Sequence, residues 1–302
     1  MKAKVIRLNI YKLIAAFLFS CHSISSCTSE KNYITYYNKT NKIDSIYRIA
    51  NQPEKAIKLY KRLFKKYEPK NQERIEEYAT YIILSDQYHE NFGGKKSLYK
   101  LLPLIAPYGN SYKDLFNLYQ KYGIDSIEVN QRVADWKKSL NKQLIDSFTI
   151  AMIRDQEGRP YNKVLAQKNV EKNANLLLWT FDNYGYPSNQ IIGRLGNNDL
   201  FIAMPTLLSH MVRSENYPII KNKAFEYLKL GDLSPQDYAL MADTYDSHKN
   251  TASRFHYRNE SQDSTQINRN RKSIGLPSLK HASKIRKDFL SKLKKQNDIN
   301  PL

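Results

Sequence analysis

The chain reads as mainly α, with a helical-hairpin front region packed on a compact helical domain and at most a small β-hairpin. Three observations lead there. Apolar residues recur at helical spacing in segment after segment past Asn51. Glycine and proline punctuate those segments where helices start and stop, as at Gly93-Gly94, Gly123, Gly158-Arg159-Pro160 and Ser234-Pro235. The third is composition: 41% hydrophobic and 12% aromatic residues over 302 positions supply the apolar surface for a large core.

The first segment is an address. Lys2, Lys4, Arg7 and Lys12 precede a short apolar run, Leu13 to Phe19, too short to span a bilayer and laid out as a secretory signal. Ile24-Ser25-Ser26-Cys27 then places two small residues before a cysteine, in the manner of a bacterial lipoprotein processing box. Leu18-Phe19-Ser20-Cys21 is a second candidate with a bulkier residue in the box. The expected organisation is a signal peptide over 1–26, lipid attachment at Cys27, a polar tether over 27–42, a front helical region over 43–138, a back domain over 139–295 and a tail over 296–302. Acylated Cys27 would leave no thiol for disulfides, zinc or nucleophilic chemistry, and several acyl chains give a firm anchor at ~0.8 kcal/mol per buried CH₂. The expected localisation is the cell envelope.

The net charge of +19 would favour nucleic acid if read alone, but the basic residues are spread rather than massed, and an exported chain rarely meets nucleic acid. No nucleic-acid partner is expected.

In the front region Pro53 opens a helix with Ile57, Tyr60, Leu63 and Phe64 inward. Ile75, Tyr78, Ala79 and Ile82 draw the second stripe, Leu98 to Ile105 a third, and Leu115 to Tyr122 a fourth. Ala56 and Tyr60 facing Tyr78 and Ala79 resemble a degenerate tetratricopeptide-like repeat. Such units need neighbours to bury their faces, so the front is expected to lean on the back, with Trp136 as a packing anchor at the junction.

In the back domain a helix over about 140–155 ends before Pro160, which leaves Asp155 and Arg159 at its terminus. Val170, Ala174, Leu177 and Phe181 mark the next helix, ended by Gly185 and Pro187. Leu200 to Met211 mark another, interrupted by Pro205, and Ser234-Pro235-Gln236-Asp237 is a capped helix start. Phe255 to Tyr257 alternate like a short strand, Ser261 to Asn270 read as polar loop, and Leu279 to Leu293 form a basic terminal helix.

Five short motifs and a closing segment in this back half resemble those of an uncharacterised family of exported bacterial proteins and lipoproteins, common in Bacteroidota. Asp155, Gln156 and Arg159 match its D-Q-x-x-R, and Asn173, Gly185, Pro187 and Gly193 its second block. His210 matches the third, with Ser209 in place of Gln. Tyr238, Ala239, Leu240 and Asp243 match the fourth, with Thr244 in place of Arg. Tyr257 alone survives of the fifth, and Arg271, Gly275 and Leu276 fit the closing segment. The resemblance implies no known activity.

As chemistry, Asp155 or Asp243 could orient His210 for acid–base work while Arg159 holds an anionic group. The same residues could equally be ion pairs at helix ends. No metal or cofactor is expected: His210, His248, His256 and Asp243 contain no i, i+4 pair, and neither a phosphate-binding glycine loop nor a nucleophile elbow occurs. The leading expectation is a non-enzymatic module binding an envelope protein or peptide; the alternative is a hydrolase or transferase centred on Asp155, Arg159, His210 and Asp243.

Overall fold

The computed structural model describes residues 32–160, 162–257 and 264–299, with side chains as far as residue 294. Fourteen α-helices, four short 3-10 turns and no strand are found among them. The helices are α1 Tyr33–Arg48, α2 Pro53–Phe64, α3 Glu77–Gln87, α4 Gly94–Ile105, α5 Phe116–Lys121, α6 Ser126–Ser139 and α7 Lys142–Gln156. They continue with α8 Lys163–Asn183, α9 Asn189–Ile192, α10 Met204–His210, α11 Tyr217–Leu230, α12 Pro235–His248, α13 Thr265–Ser273 and α14 Leu279–Ile299.

Local chemistry accounts for most starts. Asp125, Asn141, Asn162, Ser234 and Ser264 each accept a hydrogen bond from the backbone N–H three residues on, satisfying a donor that the first turn leaves unpaired. Pro53 and Pro235 occupy first-turn positions where a missing N–H costs nothing. Pro205 belongs with them. It sits in the first turn of α10 rather than inside a helix, so no kink arises, and the expected helix begins at Met204 instead of Leu200.

The largest departure from expectation is α1. Residues 33–42, polar enough to read as tether, are its first turns, and Tyr33, Tyr36 and Tyr37 on its inner face are all buried. Tyrosine carries a polar tip on a large apolar body, so a Tyr- and Asn-rich stretch looks hydrophilic in sequence while burying much area. α1 packs against α2, α11 and α14. Asn38 and Asn41 donate to the carbonyls of Lys272 and Gly275 at 3.0 and 2.8 Å. Two glycines in the left-handed region make room for it: a Cβ on Gly231 would lie 2.5 Å from Tyr33 Cγ, and one on Gly275 2.6 Å from Tyr37 Cβ.

One apolar cluster therefore runs from Tyr33 through Leu98, Phe148, Leu177 and Leu208 to Leu276. Trp136, half-buried on α6, reaches the left-handed Gly193, whose Cβ would come 3.9 Å from its ring and 3.0 Å from Leu140. Three local readings change. Residues 255–257 form a bent loop, not a strand. Within the stretch read as polar loop, residues 265–270 open α13 behind the Ser264 cap. α11, a two-Tyr, two-Ile helix, has no counterpart in the sequence reading. Cys21 and Cys27 lie outside the described residues, and no helix among the described ones is long and apolar enough to cross a membrane.

Candidate functional site

Asp155 is the last buried residue on the inner face of α7, and its carboxylate is the centre of the site. Both oxygens face the imidazole of His210, with Nδ1 at 2.9 Å from Oδ1 and 2.8 Å from Oδ2. Arg159, in the turn beyond the end of α7, donates from Nη2 to Oδ1 at 3.2 Å, and the Gln156 amide donates to Oδ2 at 2.8 Å. An ionised carboxylate only accepts, so the proton between carboxylate and imidazole belongs to Nδ1, and His210 presents Nε2 on its far side. The Asp155 side chain is 2% exposed, against 27% for His210 and 24% for Arg159. A sealed anion thus orients two half-buried cationic or basic groups at the surface, where the imidazole is reachable.

His210 arrives there because α10 is short: it ends at His210 and passes directly into a 3-10 turn, Met211–Arg213, packed on α8. Neighbouring polar residues fix the frame. Asn173 on α8 donates to the Ala151 carbonyl and accepts from Arg154 Nη1, both at 3.0 Å, and Asn169 donates to the Arg154 carbonyl at 3.0 Å. These bonds lock α7 to α8 beneath the site. Ser209, which points back to the Thr206 carbonyl at 2.8 Å, supplies no nucleophile.

Three of the four residues singled out in the sequence are thereby brought together, and Asp243 is engaged elsewhere. Its carboxylate accepts from the backbone N–H groups of Phe255 and Tyr257, both at 2.8 Å. Arg271, buried, grips the same loop from the other side, donating to the carbonyls of Phe255 at 2.7 Å and Pro277 at 2.6 Å. Burial lowers the Arg271 pKa, and the charge of Asp243 works against that shift. Asp243, Tyr257 and Arg271 form a brace for an irregular loop whose backbone has no sheet or helix to satisfy it.

The chain uses the same constellation a second time. Asp44 on α1 is fully buried, receives Arg48 Nε at 2.7 Å one turn on, and meets His281 Nε2 of α14 at 2.7 Å. His281 is 4% exposed, so this copy is a clamp between the first and last helices, with no open edge. The repeated Asp-x-x-x-Arg spacing was visible in the sequence; the histidine 237 residues away was not.

A third buried acid, Glu77, opens α3. It accepts from the Tyr36 hydroxyl at 2.8 Å and from the Gln72 N–H at 2.7 Å. Burial nevertheless pushes its pKa up to about 7, those hydrogen bonds offsetting only part of the desolvation.

Comparison with known proteins finds no matching family, no similar curated protein and no similar solved structure.

Proposed function

We propose that the protein is an exported, lipid-anchored binding module of the cell envelope whose ligand is a protein or peptide held along the front helices. The observation that carries this reading is an open recess between α3 and α5. Ile83, Leu115 and Leu118 supply apolar surface there, and Asp86, Gln87, Asn117 and Lys121 a polar rim. An apolar floor with a polar edge is the composition of a peptide-binding surface. The address rests on the basic start, the apolar run and the Cys27 box of the sequence.

A photo-crosslinking residue at Asn117 in intact cells tests the binding. A discrete crosslinked partner, lost when Leu118 is changed to Lys, supports the module; a chain that crosslinks to nothing above background refutes it. For the anchor, Cys27→Ala should abolish lipid labelling and release the chain from membranes. Label retained on that variant but lost on Cys21→Ala would move the attachment site to Cys21.

A second reading is favoured by one observation, the bidentate approach of His210 Nδ1 to buried Asp155. A carboxylate that fixes the imidazole tautomer and leaves Nε2 accessible is the arrangement of a general base, with Arg159 beside it for an anionic group. The twin at Asp44 uses the same constellation purely as a clamp, so the pairing by itself does not require catalysis.

A further inference from the structure

We infer that the outer face of α14, carrying Lys280, Lys287, Lys294, Leu290 and Leu293, docks on anionic phospholipid headgroups and gives the chain a contact with the bilayer besides the anchor. The cations read as evenly spread in the sequence, but the end of the fold concentrates them. Between residues 264 and 294 stand nine Lys and Arg against one acid, Asp288, a net +8 of the chain's +19. That acid is already taken, by Arg48 of α1 at 3.5 Å and by Lys284 one turn before it at 2.5 Å.

The opposite side of α14 is pinned to the fold. His281 meets Asp44 at 2.7 Å, Ile285 is buried, Arg74 lies over the Phe289 ring at 5.5 Å, and Lys292 reaches Glu76 at 3.5 Å. Side chains across the helix from these are therefore held outward. Lys280, Lys287 and Lys294 recur every seventh residue and so form one stripe, and Leu290, three past Lys287 and four before Lys294, stands between two of them. Leu290 is 46% exposed and Leu293, one turn on, 39%. The three lysines are exposed and make no ion pair among the described residues. Exposed Lys272 on α13 extends the positive surface to α1, whose Asn38 donates to its carbonyl at 3.0 Å.

Two exposed leucines are ordinary by themselves. Set among lysines, with no acid on that face among the described side chains, they match a surface of two layers. The ammonium groups sit at the level of the phosphates, and the leucines reach the start of the acyl chains. Nucleic acid would use the same cations and leave the leucines in water. The order of the chain agrees. α14 packs against α1, which begins six residues after Cys27, and six residues span at most ~22 Å. An acyl chain at Cys27 would thus keep α1 close to a charged headgroup layer whose attraction reaches about 8 Å at physiological salt. The inference rests on the envelope address proposed above for its occupant; the contact itself needs no acyl chain.

The test uses the full chain carrying Cys27→Ala, which has no acyl chain at that position, and vesicles of phosphatidylcholine alone or mixed equally with phosphatidylglycerol. At about 0.15 M salt the chain should co-sediment with the anionic vesicles at least about tenfold more tightly than with the neutral ones. Lys280→Gln, Lys287→Gln and Lys294→Gln together should weaken that binding by about fivefold per lysine, at least tenfold in all. Leu290→Ser with Leu293→Ser should weaken it several-fold. All five side chains are exposed, so circular dichroism should match the parent, and the basic leader is common to every variant, so the losses report on α14. Equal binding of the two vesicles, parental binding by the lysine variant or by the leucine variant, or tighter binding of duplex DNA than of the anionic vesicles would overturn the inference. Lipid labelling at Cys27 together with parental binding by the lysine variant would leave the anchor standing and sink this surface alone.

Discussion

Glu77 makes the stability of this protein depend on pH in a direction opposite to that of ordinary acid denaturation. Its carboxyl has an ordinary pKa of 4.5 and is raised by burial to about 7 in the fold. The folded state thus holds the proton more tightly than the unfolded state. Below about pH 4.5 both states are protonated and the associated stability is fully present. As pH rises through 4.5 to 7, only the unfolded chain gives up its proton freely, so stability falls; above 7 the loss is complete. A shift of about 2.5 pKa units at 1.36 kcal/mol per unit corresponds to roughly 3 kcal/mol, undiminished by solvent because Glu77 is fully buried. Asp237, raised to about 6, acts in the same sense over a slightly lower range. Urea denaturation followed by circular dichroism at pH 5, 6, 7 and 8 should show the decline, and Glu77→Gln should flatten it by most of its amplitude. The amide keeps one acceptor for Tyr36 or Gln72 but not both, so it should cost about 1 kcal/mol at pH 5 and gain at pH 8. Parallel pH curves for the wild type and Glu77→Gln would refute the assignment.

Three further outcomes follow from the same contacts. Asp155→Asn removes the anion from between Arg159 and His210 and should cost about 3 kcal/mol in chemical denaturation, with loss of the downfield Nδ1 proton of His210 in NMR spectra; a variant that keeps that resonance would show that Asp155 does not hold the ring. His281→Ala should destabilise by about 2–3 kcal/mol and His210→Ala by about 1, because the first leaves a fully buried Asp44 half-paired and the second opens a site already a quarter exposed; equal losses would erase the distinction between clamp and site. Gly275→Ala should lower stability by about 2 kcal/mol or more, since its φ of +85° is strained for a side chain and the new Cβ lies 2.6 Å from Tyr37; thermal melts indistinguishable from wild type would mean α1 is not seated on that turn.

The local rules were legible wherever a side chain acts on its own neighbours. Ser234, Pro53 and the apolar stripes of α2, α3, α8 and α12 announced their helices, because caps and helical spacing are properties of five to ten consecutive residues. The same locality explains the misses. α1 and α13 are polar by composition, and they are helices because tertiary contacts bury their tyrosines and Arg271. Phe255 to Tyr257 alternate like a strand, but no strand among the described residues pairs with them, and Asp243 with Arg271 satisfies that backbone instead.

At the candidate site, sequence placed Asp155 and Arg159 one turn apart at a helix end and supplied His210 as a candidate partner. Arg159 lies beyond the end of α7, past an extended Glu157 and a left-handed Gly158, so sequence put it near Asp155 but the turn after the helix brings its guanidinium back onto the carboxylate. Which carboxylate His210 would meet was not determined by sequence, because Asp155 and Asp243 stand on α7 and α12 and the choice depends on where α10 ends between them. Only the packing of α10 and its following turn on α8 and α12 decided for Asp155. Exposure was decided in the same way: the twins at Asp44 and Asp155 have the same spacing and the same chemistry, and burial under α14 makes one a sealed clamp while the other is left open.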